Sequence, residues 1–242
     1  ATLRVINPAQ QAALVVDPDD PNQQVNPNPD DGSAPDTSLD ALGGRETSDV
    51  ILGHEGRDAL NGLGGADSIE GREGDDDLSG GEDEDSLFGG EDDDTLEGGE
   101  DADYLHGGAG EDIATYRNAD ARVRVDIGGS VASLGEASGD VFVEIEGVEG
   151  TNFDDFLLGR FGEGDLLIGG LGDDRMVARS GDDTMIGGAG ADAHIGGSGF
   201  DIASYRDSDE RVRVDLSATL SGLGDAAGDT FSSTEGVEGT DF

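Results

Sequence analysis

Residues 71–106 read GREGDDDLS, GGEDEDSLF, GGEDDDTLE and GGEDADYLH, four consecutive copies of one nine-residue pattern. Each copy opens on glycine, carries aspartate at its sixth position and leucine at its eighth. A fixed period of this kind is the signature of a repeat architecture, in which a short unit cannot bury its apolar side chain alone. The fold is therefore expected to be built by stacking this unit on itself.

The same pattern extends outward from this stretch and covers residues 44–114. Three registers keep the nine-residue step over this whole range, which excludes a chance match. The opening glycines are Gly44, Gly53, Gly62, Gly71, Gly80, Gly89, Gly98 and Gly107. The sixth-position aspartates are Asp49, Asp58, Asp67, Asp76, Asp85, Asp94, Asp103 and Asp112. The eighth-position apolar residues are Ile51, Leu60, Ile69, Leu78, Leu87, Leu96, Leu105 and the smaller Ala114.

A second, looser array covers residues 155–203, with one ten-residue step between its first two aspartates. Its sixth-position aspartates are Asp155, Asp165, Asp174, Asp183, Asp192 and Asp201. Their apolar partners are Leu157, Leu167, Met176, Met185 and Ala203, with His194 in the same register.

A different segment follows each array and occurs twice. Arg122-Val-Arg-Val-Asp126 matches Arg211-Val-Arg-Val-Asp215, and Glu146-Gly-Val-Glu matches Glu235-Gly-Val-Glu, both at a separation of 89 positions. Alternating polar and apolar residues predict short strands in both copies. The expected organisation is a Pro/Asn/Asp-rich, disordered linker at 1–43, a first array at 44–114, a strand segment at 115–154, a second array at 155–203 and a truncated second strand segment at 204–242.

The chain is strongly acidic, with 57 acidic and 13 basic residues and a net charge of -44. Only 33% of its 242 residues are apolar, a composition typical of disorder unless something neutralises the acids. The negative charge opposes binding to nucleic acid, and no apolar run is long enough to span a membrane. Without cysteine, disulfides cannot stabilise the fold, so cations are the natural partners.

The chemistry of the unit points to calcium. Glycine enters positive φ without steric cost, so the first half of each unit is expected to be a turn. The second half is long enough for a very short strand with one apolar side chain facing inward. Ca²⁺ takes six to eight oxygen ligands, which carboxylates and turn carbonyls supply together. Each turn with its single aspartate therefore offers half of a site.

The unit Gly-Gly-x-Gly-x-Asp-x-apolar-x resembles the RTX, or haemolysin-type, calcium-binding nonapeptide repeat, and 107–112 and 187–192 match it most closely. The resemblance implies an all-β fold, in which two nonapeptides make one coil of a right-handed parallel β-roll, with two rolls separated by a short strand segment. It also implies several Ca²⁺ ions between stacked turns, with the sixth-position aspartates of both arrays as ligands. It further implies two sides of the roll, lined by Asp58, Asp76 and Asp94 and by Asp67, Asp85 and Asp103.

The role that the resemblance implies is that of the C-terminal repeat region of serralysin-like and other bacterial proteins exported by a type I secretion apparatus. Such a region is extracellular and folds when it meets calcium. We expect a non-catalytic module, with any catalytic domain outside this sequence. The alternative is a calcium-stabilised polysaccharide-binding module appended to an extracellular protease, lyase or epimerase, with arginine strands facing the polymer at Arg122, Arg124, Arg211 and Arg213.

Several positions depart from the pattern. Asp83, Asp92 and Asp101 replace the third glycine of their units. Because aspartate tolerates the left-handed backbone better than most residues, we expect these turns to persist. In the second array, Arg179 replaces a second glycine, so the sites there are expected to be less regular.

Overall fold

The structure, a computed structural model, describes residues 14–16, 40–44, 47–208, 211–217 and 222–240. The chain divides into two compact units, Ala1–Asp112 and Ile113–Phe242. Most of the linker predicted at 1–43 lies outside the described residues. Within the described ranges, no helix is long and apolar enough to cross a membrane.

The first unit consists of short strands at nine-residue spacing. The described strands are β1 (Leu14–Val16), β2 (Asp40–Gly43), β3 (Val50–Leu52), β4 (Asp58–Gly64), β5 (Ser68–Glu73), β6 (Asp77–Glu82), β7 (Ser86–Glu91), β8 (Thr95–Gly99) and β9 (Tyr104–Ala109).

Strands of the first unit pair with their next-but-one neighbours. β3, β5, β7 and β9 form one parallel sheet, and β2, β4, β6 and β8 form the other. Ile69 pairs with Leu87, and Leu87 pairs with Leu105, so two nonapeptides make one complete coil. This confirms the predicted parallel β-roll. β1 departs from the pattern because it pairs antiparallel with β3.

The eighth-position side chains stack along the inside of this roll. Each exposes at most 1% of its surface, and the set is Ile51, Leu60, Ile69, Leu78, Leu87, Leu96 and Leu105. One side chain per strand is too little to form a core, so each is buried only because the coils above and below cover it.

The second unit starts at Ile113 and contains the first strand segment, the second array and the second strand segment. Its described strands are β10 (Ile113–Thr115), β11 (Arg124–Asp126), β12 (Val141–Val143), β13 (Gly147–Glu149), β14 (Phe156–Leu158), β15 (Leu166–Leu171), β16 (Arg175–Ser180), β17 (Thr184–Ala189), β18 (Ala193–Ser198), β19 (Ile202–Ser204), β20 (Thr230–Ser232) and β21 (Gly236–Glu238). Two 3-10 turns, Gly135–Ala137 and Gly224–Ala226, complete it.

Two parallel sheets also form the second unit. One has the order β10-β13-β15-β17-β19-β21 and the other the order β11-β14-β16-β18-β20. The strand segment thus contributes β11 and β13 directly to the sheets of the second roll. The inward side chains are all fully buried: Val148, Leu157, Leu167, Met176, Met185, His194 and Ala203.

The turns depend on left-handed backbone at their second and fourth positions. Gly90 has φ 133°, and a methyl group placed on it would collide with the carbonyl oxygen of Arg72 in the preceding coil. At the fourth position, Asp83, Asp92 and Asp101 adopt φ values of 77°, 76° and 77°. The turns therefore persist with aspartate in place of the third glycine, as the sequence predicts.

Candidate metal centre

The sixth-position aspartates of both arrays are buried. Each exposes at most 5% of its surface: Asp49, Asp58, Asp67, Asp76, Asp85, Asp94, Asp103, Asp112, Asp155, Asp165, Asp174, Asp183, Asp192 and Asp201. Carboxylates are almost never fully buried unless they are paired with a cation or bound to a metal. So many buried acids in a regular series require a common partner.

In the first unit these aspartates form two rows. The backbone N–H of each aspartate donates to Oδ1 of the aspartate 18 residues later, with N–O distances of 2.6 to 2.9 Å. One row is Asp49, Asp67, Asp85 and Asp103, and the other is Asp58, Asp76, Asp94 and Asp112.

The second unit repeats this arrangement with N–O distances of 2.8 to 3.1 Å. Its rows are Asp155, Asp174 and Asp192 on one side, and Asp165, Asp183 and Asp201 on the other. The structure therefore brings all the predicted aspartates into four rows, in which only one oxygen of each carboxylate is needed for the row bond.

In most aspartates of the rows, the second carboxylate oxygen takes no part in the row bond. Eight buried Oδ2 atoms have no hydrogen-bond partner among the described residues, and we call them the open oxygens: those of Asp67, Asp76, Asp85, Asp94, Asp174, Asp183, Asp192 and Asp201. Leaving a buried polar atom unbonded costs about 1–3 kcal/mol, and more for a charged one. The open oxygens are thus positions at which an external cation would be stabilised.

The electrostatics of the rows favour a cation in the same way. Burial raises the pKa of Asp94 to about 8, and the negative charges of Asp76 and Asp112 add to the rise. Burial likewise raises the pKa of Asp174 to about 8 and that of Asp76 to about 7. Ionised aspartates at these positions repel one another, so the rows are stable only with bound protons or a bound cation.

In several units, a backbone carbonyl oxygen and the open oxygen both lie next to the first glycine. A methyl group on Gly62 would collide with Oδ2 of Asp67 and the carbonyl oxygen of Gly80. Among the described residues, no three His, Cys, Asp or Glu side chains are grouped to hold a metal. An ion would therefore take carbonyl oxygens beside the row carboxylates, an all-oxygen donor set that fits Ca²⁺.

Comparison with known families also indicates calcium binding. The family described as the RTX calcium-binding nonapeptide repeat matches residues 43–78, 52–87, 79–114, 161–193 and 168–203. The two arrays are RTX calcium-binding repeats. A comparison with curated proteins gave no match for the chain.

Three aspartates of the RTX rows differ from those with open oxygens, because a protein group already binds their Oδ2 atom. The backbone N–H of His54 donates to Asp58 at 2.6 Å, and that of Thr151 donates to Asp155 at 2.5 Å. In the third case, the backbone N–H of Arg160 donates to Asp165 at 2.5 Å. These oxygens do not need an ion as the open oxygens do.

Arg160 goes further and supplies a positive charge to its row. Its guanidinium Nε lies 2.7 Å from Oδ1 of Asp165, and its Nη1 lies 2.7 Å from Oε1 of Glu146. Asp165 is fully buried, so this ion pair is shielded from solvent. The arginine therefore occupies the place of a cation between two acids, and the Asp165 turn does not fit an additional ion there.

Arg179 has a similar role beside the second array. Its guanidinium binds both carboxylate oxygens of Asp126, at 2.7 and 2.8 Å, with the Asp126 side chain fully buried. Although burial alone would raise the pKa of Asp126, hydrogen bonds from Arg179, Ser130 and Val131 lower it. The residue that replaces a glycine of the RTX unit thus anchors β11 of the strand segment to the second array.

A second, outer series of aspartates was not anticipated from the sequence. At the fifth position of their units, these residues accept a backbone N–H from the following coil, at 2.7 to 3.3 Å. They are Asp75, Asp93, Asp154, Asp173 and Asp182. Because these bonds run in the opposite direction to those of the rows, each turn is held from both neighbouring coils. The recurrent Asp-Asp pairs in the sequence were the available signal.

His194 occupies an apolar position of the second RTX array at a cost. Its ring is fully buried, stacks on Phe231 with centroids 5.1 Å apart, and has both nitrogens without a hydrogen-bond partner in the described part of the chain. Replacing it with leucine is expected to stabilise the second unit by about 1–3 kcal/mol, because two unsatisfied polar atoms are removed.

Urea unfolding at saturating calcium measures this effect. Met185→Leu is the matched control, since it changes shape at an equivalent apolar position and is expected to shift stability by less than about 1.5 kcal/mol. A His194→Leu variant that is less stable than the parent chain would show that the imidazole is needed where it lies.

Proposed function

We propose that this chain is a non-catalytic module of a secreted bacterial protein, and that it folds when it binds calcium. The observation that carries the proposal is the series of open oxygens, which places buried and mutually repelling carboxylates on successive coils within each of the two arrays. Loss of Ca²⁺ leaves this charge uncompensated, and one apolar side chain per strand gives little burial to offset it.

The calcium concentration difference across the cell envelope then acts as the folding switch. Extracellular calcium modules bind with dissociation constants of about 10⁻⁴ to 10⁻³ M, far above cytosolic calcium. The chain would remain unfolded inside the cell, in a form suited to a type I secretion apparatus, and would fold outside. Because folding and binding occur together, the binding free energy becomes folding free energy.

Far-UV circular dichroism during a calcium titration tests the proposal. We expect an unfolded spectrum in chelator and a cooperative gain of β-structure as calcium rises into the millimolar range, with magnesium at equal concentration as the control cation. Identical spectra in chelator and in about 10 mM calcium would contradict the proposal.

A pair of variants links this transition to the rows. Asp94→Ala removes an open oxygen and is expected to shift the calcium midpoint upward by about tenfold, equivalent to about 1.4 kcal/mol. Asp77→Ala removes the same charge from an exposed position and is expected to leave the midpoint nearly unchanged. Equal midpoints for the two variants would show that net charge, rather than the rows, governs the transition.

One observation favours polysaccharide binding as a second candidate function. On the outer face of β7 and β9, the half-buried rings of Phe88, Tyr104 and His106 lie side by side with centroids 5.7 to 6.3 Å apart. Aromatic faces of this kind offer stacking area at low entropic cost. The arginine strands favour it less, since the guanidinium of Arg124 is already bound by the carbonyl oxygen of Ala132.

Polysaccharide pull-downs with calcium present separate the two candidates. Binding through the aromatic face predicts that Tyr104→Ala loses retention of the polymer while its calcium transition is unchanged. The net charge of -44 opposes an acidic polymer, so neutral and acidic polymers should be compared. Absence of retention for both polymers would leave the folding module as the function.

A further inference from the structure

The last coil of the second unit is shorter than the coils before it. β20 pairs with β18 and β21 pairs with β19 in the ordinary parallel register, so Phe231 lies beside His194 and Val237 beside Ala203. Six positions separate Phe231 from Val237, whereas nine separate their partners. Residues Ser233 to Glu235 thus replace the glycine turn of a nonapeptide, with Ser233 at φ 50°.

Two acids of this short coil extend the two rows of the second array. The backbone N–H of Asp192 donates to Oδ1 of Asp229 at 2.9 Å, which is the same bond that links successive row aspartates. On the other side, the backbone N–H of Asp201 donates to Oε2 of Glu235 at 3.1 Å. A glutamate therefore stands at the end of a row of aspartates, where its extra methylene spans the shortened turn.

The two row ends differ in the hydrogen bonds made by the carboxylate oxygens that the row bonds do not use. On the Asp229 side, the hydroxyl of Tyr205 donates to Oδ2 of Asp229 at 2.5 Å, so a protein donor binds the last acid of that row. On the Glu235 side, the open oxygen of Asp201 is fully buried and has no partner among the described residues. At the Asp229 end Asp192 keeps an open oxygen too, but Tyr205 binds the last acid of that row, whereas Glu235 ends the row that contains the open oxygen of Asp201.

The backbone around this open oxygen reproduces an ordinary turn of the array. A methyl group on Gly196 would collide with Oδ2 of Asp201 and with the carbonyl oxygen of Ser233. In the interior, a methyl group on Gly169 would meet Oδ2 of Asp174 and the carbonyl oxygen of Gly187 in the same way. Ser233 thus presents its carbonyl where the next nonapeptide would present that of its first glycine.

The charges at this end repel one another. Oε2 of Glu235 accepts the backbone N–H of Asp201, which holds this second acid next to the fully buried Asp201. Asp201 with its open oxygen, Glu235 and the carbonyl oxygen of Ser233 form an oxygen-only donor set that a hard divalent cation satisfies.

We propose that Asp201, Glu235 and the carbonyl oxygen of Ser233 form a terminal calcium site, completed by the strand segment rather than by a nonapeptide. The inference rests on the proposed calcium binding of the arrays, which it extends by one site. The segment after the array thereby supplies the last acid of each row, Glu235 at the proposed ion and Asp229 bound by the Tyr205 hydroxyl.

Counting bound calcium in the full chain tests the site. Equilibrium dialysis with metal analysis is expected to show one ion fewer for Glu235→Gln than for the parent chain. Glutamine keeps an oxygen that can accept the N–H of Asp201 but removes the charge. Glu238→Gln is the matched control, because Glu238 pairs with Ser204 and Arg206 outside the row, and it is expected to bind the parental number of ions.

Each result decides between the possibilities. Equal ion counts and affinities for Glu235→Gln and the parent chain would overturn the terminal site while leaving calcium binding by the arrays intact. A parent chain that binds no calcium would instead overturn the proposed function. If Glu235→Gln stayed unfolded at saturating calcium, the glutamate would be a structural requirement and the terminal site would also be rejected.

Discussion

Replacing Arg160 by glutamine is expected to destabilise the second unit by about 3–5 kcal/mol, the usual cost of removing one partner of a buried ion pair. The change leaves Asp165 fully buried and Glu146 largely buried without the guanidinium that lies 2.7 Å from each. Added calcium is expected to recover part of the loss, since an ion can then occupy the vacated position. The variant should accordingly need more calcium than the parent chain to fold.

Hydrogen exchange at saturating calcium measures this effect locally, from the protection of amides in residues 155–203. Arg206→Gln serves as control, because Arg206 is 65% exposed and its acidic partners lie 3.8 and 3.9 Å away. Exposed pairs of that kind contribute about 0–1 kcal/mol. If Arg160→Gln changed protection no more than Arg206→Gln does, the guanidinium would not act as the cation of its row.

Lowering the pH is expected to restore β-structure in the calcium-free chain. Burial raises the pKa of Asp67 to about 6, that of Asp85 to about 7 and those of Asp94 and Asp174 to about 8, against 3.8 in the unfolded chain. The folded form therefore binds more protons than the unfolded form between these values. The stability that these protons provide is complete below about pH 4 and is lost as the pH rises through about 6 to 8.

Circular dichroism in chelator between pH 8 and pH 5 checks this expectation, with sedimentation to exclude association as the charge falls. The calcium-saturated chain is the control, because ions that already neutralise the rows should make its β-signal nearly independent of pH over the same range. A calcium-free β-signal that stays constant or falls on acidification would mean that row repulsion is not what keeps the chain unfolded.

The nine-residue period carried most of the information that the fold needed. It predicted the parallel β-roll, the inward position of residues such as Leu87, and the left-handed turns at Asp83, Asp92 and Asp101, because each follows from a local rule that repeats. The calcium-binding nature of the arrays followed from the same period, since one aspartate per turn is meaningful only when the turns stack.

Features outside the period could not be predicted from it. Nothing in the local sequence indicates that Arg160 reaches both Asp165 and Glu146, because this contact depends on where the strand segment joins the second roll. The short coil from Asp229 to Glu238 could not be recognised from the nine-residue period, because its acids Asp229 and Glu235 are six residues apart. As a copy of the first strand segment it was predicted to form strands, but only the pairing with β18 and β19 shows that they continue the rows.

The direction of the row bonds has a consequence for how the molecule assembles. Within a row, the aspartate donates its own N–H to the carboxylate of the next member, one coil further along the chain, so the row bonds of a coil form only when its C-terminal neighbour is ordered. Folding should then propagate from one coil to the adjacent coil, rather than begin in all coils at once. In the second unit, Arg160 and Arg179 supply two positive charges that require no ion. The coils that contain these arginines are therefore the ones at which folding can begin without bound calcium.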